Sequence, residues 1–137
     1  MEQLQFDSGV RTYRVNGGET LCFNPADPNL YARFQEVEEK LRGLSQTFDG
    51  EGGDMLTLLQ MTDRELKALL CWVFPGNDFE KIFTGVNLLA VTQTGKTVLE
   101  NFLDALTPIL CEGAECFAQG VAERAEVTAC SRREAQC

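Results

Sequence analysis

The sequence predicts an α+β fold, mainly helical, with an N-terminal β-hairpin or small meander packed on about four helices. Three observations carry this expectation. Short β-type runs are confined to the start of the chain, Asn16-Gly17-Gly18 separates two of them, and from Pro28 onward apolar residues recur at spacings of three and four. That spacing places apolar side chains on one face of a helix, whereas alternation of the first kind suits strands.

The β-type runs are Leu4-Gln5-Phe6, Val10–Val15 and Thr20–Phe23. Asn and Gly accept the positive φ of tight hairpin turns, so Asn16-Gly17-Gly18 predicts a hairpin, and Asp7-Ser8-Gly9 an earlier turn. So few strands are marginal alone and must pack on helices or pair with another chain. Asn24-Pro25-Ala26-Asp27-Pro28 then opens a helix, with Asp27 as N-cap and Pro28 in the first helical position. It runs to about Phe48, with Leu30, Phe34, Val37, Leu41 and Leu44 inward. Asp49–Gly53 reads as a mobile loop.

Met55–Met61 is expected to be helical, and Thr62-Asp63-Arg64-Glu65 to start or restart a helix as a capping box. Leu66, Leu69, Leu70 and Val73 continue it, and Pro75-Gly76-Asn77 stops it. A short helix from Asp78 to about Thr84 turns Phe79, Ile82 and Phe83 inward, with Gly85 as its exit. The last helix starts near Thr94 or Thr97 and buries Val98, Phe102, Leu103, Leu106, Ile109, Leu110 and Phe117. Pro108 inside it predicts a kink or break about a turn earlier. The expected organisation is thus a hairpin region over 1–24, a helical body of the same domain over 25–120, and a polar, disordered tail over 121–137.

Composition narrows the function. The chain has 137 residues, 44% of them apolar, enough for one sizeable core. Its apolar runs, such as Leu69–Phe74, are far short of a membrane span. Met1–Gln5 has neither a basic flank nor an apolar stretch, so no signal peptide is expected and the protein should stay in the cell that makes it. Twenty-one acids against 12 bases give a net charge of −9, densest between residues 25 and 60. Such a surface repels nucleic acid backbones and anionic membranes, and suits solubility or a basic protein partner. The six cysteines are expected as reduced thiols, with Cys22 and Cys71 as small core residues.

No catalytic constellation is legible, and no cofactor or metal is expected. The chain has no histidine and no CxxC pair, so a general base of the commonest kind and a zinc site both lack their residues. Gly95-Lys96-Thr97 matches the end of a P-loop, but the glycine needed five residues before Gly95 is Ala90. A polar turn capping the final helix accounts for it better. Glu36, Glu38 and Glu39 fall on the solvated face of a helix, and Asp78 and Glu80 suit the cap and first turn of the short one. Phe102, Leu106 and Ile109 are the candidate partner-binding residues: at helical spacing they either fill the core or line a groove for a partner helix.

The order of features resembles a family of small phage proteins. Leu4-Gln5-Phe6-Asp7-Ser8-Gly9-Val10, Asn16-Gly17-Gly18, Phe23-Asn24-Pro25-Ala26-Asp27-Pro28, Gly85-Val86-Asn87 and Glu100–Ile109 together look like tail assembly chaperones of long-tailed phages, over about residues 4–117. The resemblance implies a small acidic helical protein in the cytoplasm of an infected host. Its partners would be the tape measure protein, the tail tube protein and copies of itself. The cysteine-bearing segment after Phe117 departs from the family pattern. Two other readings compete. An acidic inhibitor imitating DNA charge would block a host nucleic-acid-binding or defence protein, and a structural tail component would be found in purified particles.

Overall fold

The computed structural model describes residues 1–46 and 55–135, without the side chains of residues 42, 44–46, 55 and 125–135. The order is β1 (Arg11–Arg14), β2 (Thr20–Phe23), α1 (Pro28–Gln46), α2 (Met55–Val73), α3 (Phe79–Ile82) and α4 (Val98–Ala135). An N-terminal antiparallel hairpin followed by helices is the α+β, mainly helical arrangement that the sequence predicts.

The hairpin pairs Arg11 with Phe23 and Arg14 with Thr20. Asn16 and Gly17 both have positive φ, 49° and 74°, and the Gly18 amide donates to the Val15 carbonyl at 2.9 Å. That is the left-handed turn whose twist matches the flanking strands. The third run, Leu4-Gln5-Phe6, is not a strand, so the sheet is a hairpin and not a meander. Before β1 the chain is tied to the residue after β2: Asn24 Nδ2 donates to the Ser8 carbonyl at 3.2 Å. Strand alternation also corrects Cys22. Leu21 and Phe23 face the core, so Cys22 lies half-buried on the other face, its Sγ 3.6 Å from Thr12 Oγ1. Cys71 is half-buried too, but packs against the core as expected.

Asp27 caps α1, accepting the Asn29 amide at 2.9 Å, and Leu30, Phe34, Val37 and Leu41 are buried as expected. The end of α1 near Phe48, the Leu44 side chain and the Asp49–Gly53 loop lie outside the described residues. The restart expected at Thr62 does not occur, because α2 runs through it unbroken. Asp63 serves a longer-range purpose instead. Its carboxylate, 2.9 Å from Lys67 Nζ, accepts the Leu88 amide at 2.7 Å and so ties α2 to the loop before α4. Arg33 Nε reaches the Val73 carbonyl at 3.0 Å, and Gly76 at φ +85° turns the chain out of α2.

Helix α3 is one turn, capped by Asp78, which accepts the Glu80 and Lys81 amides. Helix α4 starts after Thr97, which forms a capping box with Glu100: the Glu100 amide donates to Thr97 Oγ1 at 3.2 Å. Pro108 does not break α4. Leu103 and Leu106 on one side of it and Leu110 on the other are buried, and that packing offsets the lost backbone bond. The helix also runs as far as Ala135, through the segment expected as a disordered tail, where Ala, Glu and Arg are good helix formers. Phe117, expected inward, is exposed, since α4 passes beyond the body of the molecule after Gly113.

The core joins these elements through a chain of rings. Tyr13 stacks on Phe23, Phe23 meets Phe74 edge-on, Phe74 meets Phe79, and Phe102 of α4 lies edge-on to Phe83 at 5.3 Å between centroids.

Candidate functional site

Between the hairpin and α4 lies an open cavity of about 660 Å³. Its floor is core: Leu21 and Phe23 of β2 and Leu106 of α4 are buried. Its walls are half-buried apolar side chains, Tyr13 and Val15 from the hairpin, Ile82 from α3, and Val98, Phe102 and Ile109 from α4. Val86, 39% exposed, stands at the rim. Among the described residues lining it, Arg14 alone is charged, although the protein as a whole carries −9. An acidic chain has here an acid-free apolar hollow.

The structure brings the three sequence-predicted residues together here, each on a different footing. Leu106 is only 4% exposed and is part of the core. Phe102 is shared, with one part of its ring against Phe79 and Phe83 and another lining the cavity. Ile109 is half-buried, packs against the core and lines the hollow. The contributions of Tyr13, Val15, Ile82 and Val86 were not singled out by the sequence reading, because they come from segments far apart in the chain. The one available signal was the alternation Tyr13–Val15 opposite Leu21–Phe23, which puts four apolar residues on one hairpin face.

Several polar groups elsewhere hold the fold. The start of α4 is no phosphate cradle: the Val98 amide donates to the Ala90 carbonyl at 2.9 Å, and the Leu99 amide to the Leu88 carbonyl at 3.0 Å. Lys96 pairs with Asp104 at 2.8 Å. Among the described residues no three His, Cys, Asp or Glu side chains are grouped to hold a metal ion, and no helix is long and apolar enough to cross a membrane. Glu36 and Glu39 are exposed, and Glu38 is partly covered. On the far side of α4 the Tyr31 hydroxyl lies between the carbonyls of Pro25 and Leu110, and burial pushes its phenol above the ordinary value of 10.

The fold is a small, mainly helical α+β scaffold with an open apolar groove between hairpin and α4. No protein-family model, curated protein or solved structure matches the chain.

Proposed function

We propose that this protein is a non-catalytic holder of apolar segments, which keeps part of a larger partner soluble during assembly. The observation that carries the proposal is the acid-free apolar groove between hairpin and α4 on an otherwise acidic protein. Seating one Leu- or Phe-sized side chain there removes it from water at a gain of about 1.5–3 kcal/mol, while the acidic exterior keeps the complex dispersed. The resemblance to tail assembly chaperones supplies a fitting client. A helical stretch of tape measure protein, or a surface of the tail tube protein, would present the apolar side chains that such a groove takes.

Co-expression with a tape measure protein should raise the soluble yield of the latter, and the two should co-purify. Because apolar contacts dominate, the complex should persist in moderate salt, where exposed charge contacts are screened within about 10 Å. Ile109→Asp should abolish co-purification; because this side chain packs against the core as well as lining the groove, melting curves accompany the assay, and only a folded, binding-deficient variant locates the site. Failure to associate, together with strongly salt-sensitive binding to a basic host factor, would favour the DNA-imitating inhibitor. Recovery of the protein from purified particles would favour a structural tail component.

A further inference from the structure

The two edges of the hairpin are treated differently. On β2, the outward amide and carbonyl of Cys22 are both taken by one side chain: Asn77 Oδ1 accepts the amide at 2.8 Å, and Asn77 Nδ2 donates to the carbonyl at 2.8 Å. A side-chain amide thereby imitates a neighbouring strand and closes that edge. On β1 no such cap exists among the described residues. The Val15 amide donates inward to Glu19, so by antiparallel alternation Tyr13 and Arg11 also bond inward, and the amides and carbonyls of Thr12 and Arg14 point outward. An open strand edge of this kind takes an added strand.

The first ten residues carry a segment suited to it. They form no regular secondary structure, and Leu4 and Phe6 are 88% and 77% exposed. Leu4-Gln5-Phe6 alternates as a strand does, putting both apolar side chains on one face. The arm does not reach its own open edge. Asn24 holds the Ser8 carbonyl, and Ser8 and Val10 border a cleft with Leu30, Arg33, Phe74 and Pro75, on the side of β2. The chain therefore enters the hairpin from the closed edge, and folding back onto β1 would require releasing that clamp.

We infer that residues 2–6 of one copy add as an antiparallel strand to the open β1 edge of a second copy and seat Leu4 in its apolar groove, with Phe6 on the same face, reciprocally, as a two-fold dimer. With Gln5 opposite Thr12 and Gln3 opposite Arg14, the outward backbone groups of β1 are satisfied and Leu4 lies across from Tyr13 at the groove wall. A two-fold exchange closes on itself, so it yields a dimer and no filament. The inference needs no client. Where a client does bind, arm and client compete for one groove, and the arm shields it until the client arrives.

The test is the solution mass across a dilution series, by light scattering and sedimentation. The parent chain should approach twice 15.2 kDa at high concentration and dissociate on dilution. Leu4→Ser with Phe6→Ser should weaken association at least tenfold without moving the melting temperature at dilutions where the parent is monomeric, because both side chains are exposed on their own copy. Thr12→Pro removes an outward amide and spares the inward bonds, so it should be monomeric too. Mixing the two variants should restore part of the association, since one intact arm then meets one intact edge. A parent chain monomeric throughout, a serine variant that dimerises as tightly as the parent, or a mixture of folded variants that associates no better than either variant alone would each overturn the inference. Should Thr12→Pro fail to fold, the serine variant alone decides. Slow amide exchange at Gln3 and Gln5 in a monomeric parent would show closure within one chain and would equally overturn it. Client binding is read in a separate assay, so the two proposals fail independently.

Discussion

Lys67 is 5% exposed and carries a full charge, which is tolerable only because Asp63 sits 2.9 Å away and is itself hydrogen-bonded. Glu80, at 3.9 Å and mostly exposed, adds a weaker partner. Removing the cation alone leaves a buried carboxylate uncompensated, so Lys67→Met should cost about 3–5 kcal/mol in urea unfolding. Replacing both residues by apolar ones should recover most of that loss, less the cost of about 1–3 kcal/mol for leaving the Leu88 amide unsatisfied. Equal instability of the single and double variants would mean that the pair acts through shape and not charge. In the sequence Asp63 lies inside a local capping-box pattern, Thr-x-x-Glu, whose capping residues are Thr62 and Glu65. Its partner Leu88 is 25 residues away, and nothing local announces such a bond.

Among the elements, those set by local chemistry were legible. The hairpin turn at Asn16-Gly17, the Asp27 and Asp78 caps, the stop at Pro75-Gly76-Asn77 and the Thr97 cap each depend on a few adjacent residues. What escaped was decided by distant packing: the continuity of α4 through Pro108, the failure of Leu4–Phe6 to pair, and the burial of Leu88 and Leu99. The groove was half legible for the same reason. Its α4 wall is a helical stripe, whereas its other wall is assembled from the hairpin and the α3 region. Helix α4 also hides a close approach. Gly113 is buried where the helix crosses Pro25, and a Cβ there would overlap the Pro25 carbonyl. Backbone cannot yield as a flexible side chain does, so Gly113→Ala should destabilise by about 1–3 kcal/mol. Gly120 in the same helix has nothing within 4 Å of such a Cβ, so Gly120→Ala should stabilise by about 0.5–1 kcal/mol through helix propensity. Thermal melts of the two variants shifting in the same direction would refute this account of the crossing.

At the scale of the whole molecule, one hydroxyl joins three parts: Tyr31 of α1 lies between the carbonyls of Pro25, in the loop leaving the hairpin, and Leu110 of α4. Burial raises its phenol above 10, an effect partly offset by the Ala114 backbone and reinforced by Cys111. The neutral form is also the one that can donate to a carbonyl. A raised acid in the folded state binds its proton more tightly than the unfolded chain does. Its contribution to stability is therefore complete below pH 10 and is lost as the pH climbs from there through the folded value. The parent protein should accordingly lose stability more steeply above pH 10 than Tyr31→Phe, which has no proton to lose. At neutral pH the order is reversed: the phenylalanine variant should be weaker by about 0.5–1.5 kcal/mol, the worth of one hydrogen bond. General repulsion in a chain of net charge −9 also grows at alkaline pH, but it acts on both proteins and is screened by salt. Urea titrations of the pair from pH 7 to pH 11 at high salt separate the two effects. Stability curves that run parallel across that range would show that Tyr31 does not hold hairpin loop, α1 and α4 together through its proton.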